Sequence, residues 1–141
     1  MRIRELMTTR VVTVDPNSTC TEAAKRMKEE NVGSVPVVEG GRLAGIVTDR
    51  DIILKCVAQG NRCDQTPVAD CMARNPVTCT PETDAHEAAR LMAREQIRRL
   101  PVVENGRLVG ICALGDLAVV DIHVNEAGEA LSGISEQTTV H

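Results

Sequence analysis

Apolar residues recur along the chain at two different spacings, and each change of spacing marks a new secondary-structure element. Small apolar side chains recur at helical spacing after Thr19 and after Asp84, which predicts one amphipathic helix in each place. Both helices are predicted to begin with capping boxes, Thr19 with Glu22 and Asp84 with Glu87. Short β-branched runs at residues 11–14 and 77–79 predict brief strands that end at a proline turn.

A β-hairpin follows each predicted helix. The four strands of the two hairpins are predicted at residues 34–38, 43–47, 100–103 and 108–112. The turns fall at Gly40-Gly41 and Asn105-Gly106, residue types that tolerate the positive φ angles of a tight hairpin. Helices at 49–58 and 115–120 close the two sets, residues 59–67 form a polar linker, and an amphipathic helix is predicted at 125–134.

An internal repeat organises this pattern. At an offset of 65 residues, residues 7–54 align without a gap to residues 72–119, and 19 of the 48 positions are identical. Self-similarity of this kind predicts two copies of one β-α-β-β-α unit, here residues 1–65 and 66–120, followed by a C-terminal extension at 121–141. Because two copies are too few for a solenoid, we expect them to pack face to face with pseudo-two-fold symmetry.

Composition and charge narrow the class of protein. The 141 residues are 43% apolar and 26% charged, which favours a packed α/β (α+β) fold over a disordered chain. No apolar stretch approaches the roughly 18 residues that span a bilayer and no export signal is recognisable, so we expect a cytoplasmic protein without membrane contact. The formal net charge of -4 and the absence of Phe, Tyr and Trp argue against nucleic-acid binding.

The six cysteines allow two interpretations. None forms a C-x-x-C pair, and a chain of this length without a signal peptide needs no disulfide framework. Most are therefore expected to be small buried apolar residues, and no metal ligand is assigned. The alternative is a metal or redox site assembled in space from Cys56, Cys63 or Cys71, with or without one of the three histidines.

Two matching stretches carry a family resemblance. The run from Pro36 to Val38, followed by residues 41–52 (GRLAGIVTDRDI), is similar to the signature of a CBS domain, and residues 101–117 repeat it. The lead-ins at residues 3–7 and 68–72 resemble the segments that open many CBS repeats. A tandem pair of this kind is a Bateman module, so the resemblance implies a regulatory binding module rather than an enzyme, and we assign no catalytic residue.

The resemblance also implies a ligand and candidate residues. CBS pairs typically hold adenosyl nucleotides in the cleft between repeats. In the family's G-h-h-[ST]-x-x-D pattern, the aspartate binds the ribose and the serine or threonine helps to hold the phosphate. These roles fall on Thr48 and Asp51 in the first repeat, and on Asp116 in the second, where Ala113 replaces the hydroxyl residue. The implied set is completed by arginines that reach phosphate and by residues beside the base or ribose: Arg98, Arg99, Ser34, Ile46 and Val12.

The residues themselves give a second argument for the first site. A strand that ends at Val47 and a helix that begins near Asp49 would aim the unpaired amides of the first helical turn outward, which favours a phosphate. The competing hypothesis is that Thr48 and Asp51 only cap their own helix. Asp116 favours a ligand-binding role in addition to capping, because the second repeat has this aspartate even though Ala113 cannot supply a capping hydroxyl.

The leading hypothesis is a sensor that binds AMP, ADP, ATP or S-adenosylmethionine, needs no obligatory cofactor, and acts in trans on an unidentified effector protein. We also expect a homodimer, because the helices at 49–58 and 115–120 are apolar on more than one side. The alternative is a CBS-fold stress protein without nucleotide binding that acts through a metal or thiol site. An enzyme is disfavoured, because no nucleophile motif or paired histidine spacing is present.

Overall fold

The computed structural model describes residues 1–118, which divide into two compact units. The first-repeat unit contains Val12–Pro76 and Gly106–Leu108, and the second-repeat unit contains Met1–Val11, Val77–Asn105 and the described residues from 109 onward. Helices and strands are mixed in both, so the predicted α/β class is confirmed. The predicted helix at 125–134, the end of the helix at 115–120 and the extension at 121–141 lie outside the described residues.

The first-repeat unit is a helix, a hairpin and a short helical segment. Its elements are α1 (Cys20–Glu30), β1 (Ser34–Glu39), β2 (Arg42–Thr48), α2 (Asp49–Ile52), a π-helical turn (Ile53–Val57), a 3₁₀ turn (Val68–Asp70) and β3 (Ala73–Arg74). β1 and β2 are antiparallel, and β3 pairs with the other edge of β2. The core of this unit is aliphatic and contains Val35, Val37 and Val47, together with Cys20, Cys56 and Cys71.

The second-repeat unit repeats this arrangement. Its elements are a 3₁₀ turn (Ile3–Glu5), α3 (Ala85–Glu95), β4 (Arg99–Glu104), α4 (Leu114–Ala118) and β5 (Arg107–Ala113), whose first two residues belong to the first-repeat unit. Its core is built around the small apolar stripe of α3, which packs on residues such as Leu100, Val102 and Leu117. The residues of that stripe are Ala85, Ala88, Ala89 and Met92, all buried.

The hairpin turns agree with the sequence prediction. Gly40 and Gly41 have φ angles of 60° and 83°, and Asn105 and Gly106 have φ angles of 55° and 81°. Two consecutive residues with positive φ are the mark of a type I′ turn, whose twist matches that of the flanking strands. Glycine or asparagine is needed there because other side chains are strained in this conformation.

The two predicted first strands are wrong in extent. Only Val14 and Cys79 pair with a neighbour, as single parallel bridges to Val37 and Val102. The Val14 amide donates to the Pro36 carbonyl at 3.1 Å, and the Val38 amide donates to the Val14 carbonyl at 2.8 Å. The next bond of such a ladder would need an amide hydrogen on Pro36, which proline lacks. Pro101 stops the second ladder in the same way.

Two helix predictions also need correction. The helix predicted at 49–58 is α-helical only to Ile52, because the Ala58 amide donates to the Ile53 carbonyl at 2.8 Å, five residues back. The Thr19 hydroxyl accepts from the Glu22 amide at 3.1 Å, which is one half of the predicted capping box. Asp84 accepts from the amide of His86 rather than that of Glu87. A capping box with both reciprocal bonds forms at the start of α2.

The lead-in segments do not follow the repeat boundaries. The Ile3 amide donates to the carbonyl of Thr83 at 2.9 Å, so the N-terminal lead-in joins the second-repeat unit. The Val68 amide donates to the carbonyl of Ser18 at 2.7 Å, so the later lead-in joins the first-repeat unit. Each unit therefore takes its lead-in from the other repeat, and Ile3 and Val68 are fully buried there.

Candidate functional site

The junction between β2 and α2 holds the two residues that the sequence singles out. Thr48 is the N-cap of α2, and its Oγ1 accepts from the Asp51 amide at 3.0 Å. Asp51 Oδ2 accepts in return from the Thr48 amide at 3.0 Å. The second carboxylate oxygen of Asp51, Oδ1, lies 3.4 Å from Lys55 Nζ. These contacts hold both side chains in one orientation, with 19% of the Asp51 side chain exposed.

Capping leaves both side chains able to bind a ligand. A hydroxyl can accept and donate at once, so Thr48 can accept from Asp51 and still donate its own hydrogen outward. Each oxygen of a carboxylate has two lone pairs, so Asp51 can accept further hydrogen bonds beside those from Thr48 and Lys55. The pair thus offers a donor suited to phosphate and acceptors suited to vicinal hydroxyls. The capping and binding hypotheses are compatible at this position.

The expectation of unpaired amides at the start of α2 is wrong. The Asp49 amide donates to the carbonyl of Gly33 at 2.9 Å, and the Arg50 amide donates to the carboxylate of Asp49 at 2.8 Å. The third amide, that of Asp51, is taken by Thr48. Since all three donors are paired within the protein, an anion at this junction would depend on side chains rather than on the helix terminus.

Asp116 has a structural role that the sequence argument overlooked. Its Oδ2 accepts from the Ala113 amide at 2.9 Å, which reproduces the carboxylate half of the first-repeat capping box. Ala113 has no hydroxyl to supply the other half. The persistence of Asp116 is thus explained by the cap alone, and it gives no independent support for a ligand at this position.

Three further candidates lie in the first-repeat unit. Ser34 opens β1 and is the strand partner of Thr48, so these two residues and Asp51 are brought together. Ile46 is half-buried, two residues before Thr48 on β2. Val12, also half-buried, lies in the segment that leads to the Val14 bridge.

The two candidate arginines lie in the second-repeat unit at the start of β4. Arg98 is exposed and Arg99 is half-buried. The Arg98 carbonyl accepts from the amide of Leu114 at 2.7 Å, which places Arg98 beside the start of α4, close in sequence to Asp116. The equivalent bond in the first repeat runs from Asp49 to Gly33, so the two junctions share one backbone arrangement.

Sequence reasoning missed Lys55 as a functional candidate. Besides its contact with Asp51, its Nζ donates to the Cys71 carbonyl at 3.3 Å. The detectable signal was the spacing of four residues between Asp51 and Lys55, which places opposite charges on one face of a helical segment. Among the described residues, Lys55 is the only one that forms an ion pair with Asp51.

Most cysteines are buried, as the sequence predicted. Cys63 alone among the six is partly exposed, and no disulfide is formed. Burial raises the pKa of Cys79 to about 11 and that of Cys112 to about 12, so both stay protonated at neutral pH. Within residues 1–118, no group of three or more His, Cys, Asp or Glu side chains is placed to hold a metal ion.

The family follows from the two matched repeats. The family model of the CBS domain matches residues 3–57 and 68–123. The chain belongs to the CBS domain family. Among its relatives is the CBS domain-containing protein YhcV of Bacillus subtilis, which is 52% identical over 135 residues, with 96% of each chain covered. This CBS pair is thus a tandem module, as the resemblance implied.

Solved structures of other CBS proteins share the fold. Hypoxic Response Protein I, solved with two coordinated zinc ions, is 31% identical and matches with a TM-score of 0.77, over 84% of this chain and 98% of its own. CBSX2, solved in complex with AMP, is 27% identical and matches with a TM-score of 0.75, over 88% of this chain and 98% of its own. These neighbours confirm the predicted CBS fold, and a CBS pair is a regulatory module.

Proposed function

We propose that this CBS pair binds an adenosyl nucleotide and passes its occupancy on to an effector protein in trans. The ligand class is AMP, ADP, ATP or S-adenosylmethionine, and none is an obligatory cofactor. The observation that carries the proposal is the Thr48–Asp51 pair, which is held by two reciprocal hydrogen bonds and retains a free hydroxyl hydrogen and spare carboxylate lone pairs. The AMP complex of CBSX2 supports the same ligand class.

Each residue of the first-repeat site has a defined role in the proposal. Asp51 accepts from the two ribose hydroxyls, and Thr48 donates to phosphate. Lys55 already neutralises one carboxylate oxygen of Asp51, at 3.4 Å, so ribose binding competes partly with this ion pair. Ser34, Ile46 and Val12 complete the set around the base and sugar.

The proposal includes an asymmetry between the repeats. Asp116 can contact ribose as Asp51 does, but Ala113 has no hydroxyl for phosphate. A missing hydrogen bond to a charged group costs about 1.5 to 3 kcal/mol, or about 10-fold to 150-fold in affinity. We therefore expect the Asp51 site to fill first. Arg98 and Arg99 are proposed as phosphate contacts, since the guanidinium group matches phosphate geometry.

Titration calorimetry with AMP, ADP, ATP and S-adenosylmethionine tests the proposal. We expect one tight event per chain for at least one of them, and a second event that is much weaker or absent. Asp51→Ala should abolish the tight event and Asp116→Ala should spare it. The two variants are matched controls, because each removes a carboxylate that accepts one backbone amide, at 3.0 Å from Thr48 and 2.9 Å from Ala113.

One result would overturn the ligand class, and another would overturn the proposed asymmetry between the repeats. If none of the four nucleotides binds the freshly purified protein and no 260 nm absorbance co-purifies, the ligand class is wrong. The second measurement is sensitive because the chain contains no Trp or Tyr. If Asp116→Ala rather than Asp51→Ala abolishes tight binding, the roles of the two repeats are reversed.

The proposal also covers assembly, location and catalysis. We propose a homodimeric, cytoplasmic regulator that neither catalyses a reaction nor binds nucleic acid. Among the described residues, no helix is both long and apolar enough to cross a bilayer. Exposed apolar residues on the π-helical turn support self-association, since Ile53 and Val57 are each 57% exposed and Leu54 is 46% exposed.

A further inference from the structure

Four of the six cysteines lie in the core of the first-repeat unit or pack against it. They form two close pairs that contact each other through Cys20 and Cys56. The Cys56 and Cys63 sulfurs are 2.9 Å apart, and the Cys20 and Cys71 sulfurs are 3.4 Å apart. All four are free thiols. A disulfide bond measures about 2.05 Å, so the sulfurs of Cys56 and Cys63 would have to move about 0.9 Å closer together to form one.

The two pairs differ in access to small molecules. Cys20 and Cys71 are fully buried, with no exposed surface, and so is Cys56. Cys63 is partly exposed and lies in the polar segment that follows the π-helical turn. A reagent in solution can therefore reach the Cys56–Cys63 pair through Cys63, whereas the Cys20–Cys71 pair is closed to it. Oxidation should begin at Cys63.

The backbone between the two cysteines folds back so that their side chains meet. Six residues separate the two cysteines, and they include Gly60 at a φ of 76°. The Asn61 amide donates to the Cys56 carbonyl at 3.1 Å, which folds this segment back toward the π-helical turn. The segment thus already brings Cys63 to Cys56.

A shared metal ion explains the pair less well than a disulfide does. Two thiolates bound tetrahedrally to one zinc ion at about 2.3 Å would lie about 3.8 Å apart. The observed 2.9 Å is shorter than this. In addition, the described part of the chain contains no group of three or more metal-binding side chains in a suitable arrangement. The sulfur distance therefore favours oxidation over metal binding.

We propose that Cys56 and Cys63 form a reversible disulfide by exchange with a low-molecular-weight disulfide. The Cys63 thiolate attacks one sulfur of the small disulfide, which yields a mixed disulfide and releases one small thiol. Cys56 then loses its proton and attacks the Cys63 sulfur, which releases the second small thiol. The protein loses two electrons and two protons, and the small disulfide gains both as it is reduced to two thiols.

The surroundings of Cys63 control the rate of this exchange. The hydrogen bond with Cys56, and secondarily burial, raise the pKa of Cys63 to about 11. The other titratable groups that face it, Cys71 and Asp64, also disfavour the thiolate, and Arg62 is paired with Asp64 at 2.8 Å. Since the thiolate is the attacking species, the initial rate should rise about tenfold per pH unit between pH 7 and 9.

The test uses the full chain without nucleotide, so its outcome does not depend on the proposed ligand. The protein is equilibrated in oxidised glutathione at pH 8.5, alkylated, digested with trypsin and analysed by mass spectrometry. Trypsin cleaves after Lys55 and Arg62, so the disulfide should join peptide 56–62 to peptide 63–74. Dithiothreitol should separate them again. Fragmentation identifies the bonded cysteine, because the second peptide also contains Cys71.

Variants decide between the possible pairings. Cys63→Ser, at the partly exposed position, should abolish the cross-linked peptide, and Cys71→Ser should retain it. The proposal is overturned if the wild-type chain stays fully reduced under these conditions. It is also overturned if fragmentation places the bond at Cys71, or if the cross-link survives in Cys63→Ser.

Discussion

The hydroxyl of Thr48 should stabilise the fold even without ligand. Thr48→Ala removes the acceptor that the Asp51 amide uses at 3.0 Å, but it leaves the Thr48 amide bonded to the Asp51 carboxylate. Only half of the capping box is therefore lost. Removing an N-cap hydroxyl costs about 0.5 to 2 kcal/mol. For a chain of this size, a loss of about 1 kcal/mol lowers Tm by about 4 °C.

The second repeat provides the reciprocal experiment. Asp116 already accepts from the Ala113 amide at 2.9 Å, so Ala113→Thr would complete a capping box whose carboxylate half exists. We expect this change to raise the free energy of unfolding by about 0.5 to 1 kcal/mol. Thr48→Ser serves as the control for the first repeat, because it keeps the hydroxyl and removes only the methyl group.

Urea denaturation of the nucleotide-free protein, followed by far-ultraviolet circular dichroism, measures these differences. Circular dichroism is the appropriate probe because the chain has no Trp, Tyr or Phe for fluorescence. The expected order of stability is Ala113→Thr, then wild type and Thr48→Ser together, then Thr48→Ala. The capping argument is refuted if Thr48→Ala is as stable as wild type, or if Thr48→Ser is destabilised as much as Thr48→Ala.

Three further predictions concern pH, assembly and ligand. Burial raises the pKa of Cys79 from 9.0 to about 11. The protonated thiol therefore contributes on the order of 2 kcal/mol to folding stability, which is complete below pH 9 and is lost as pH rises through 11. Urea titrations should show this decline, and Cys79→Ala should reduce it. Light scattering should find a dimer that Leu54→Glu dissociates, and a wild-type monomer of 15.2 kDa would contradict this. Nucleotide at 100 times its dissociation constant should add about 2.7 kcal/mol to stability, and added salt should weaken this effect unless Arg98 and Arg99 are both replaced by alanine.

The local pattern determined most of the secondary structure. Apolar spacing placed α1 and α3, and alternation with Gly-Gly and Asn-Gly turns placed both hairpins, because these signals depend only on neighbouring residues. The repeat at an offset of 65 residues carried the family resemblance. The same resemblance selected Thr48 and Asp51, and their spacing also predicts the capping box observed at α2.

Features that depend on residues distant in sequence were decided only by the tertiary structure. The first strands shrink to single bridges because a proline in the neighbouring strand lacks the needed amide, which the strand's own sequence does not reveal. The amides at the start of α2 are paired partly because the carbonyl of Gly33, distant in sequence, accepts from the Asp49 amide. In both cases the local pattern indicated the secondary structure that the residues favour, but it did not show which distant residue they hydrogen-bond.

The lead-ins and the thiol pairs show most clearly the difference between what the local sequence indicates and what tertiary packing decides. Both lead-ins have equivalent sequences, so the local pattern fits either unit equally well, and only the packing of Ile3 and Val68 shows which unit each joins. Cysteine spacing likewise left Cys56, Cys63 and Cys71 as equal candidates. The fold distinguishes them by distance, with Cys63 2.9 Å from Cys56 and Cys71 3.4 Å from Cys20, because side-chain proximity is set by how distant segments pack.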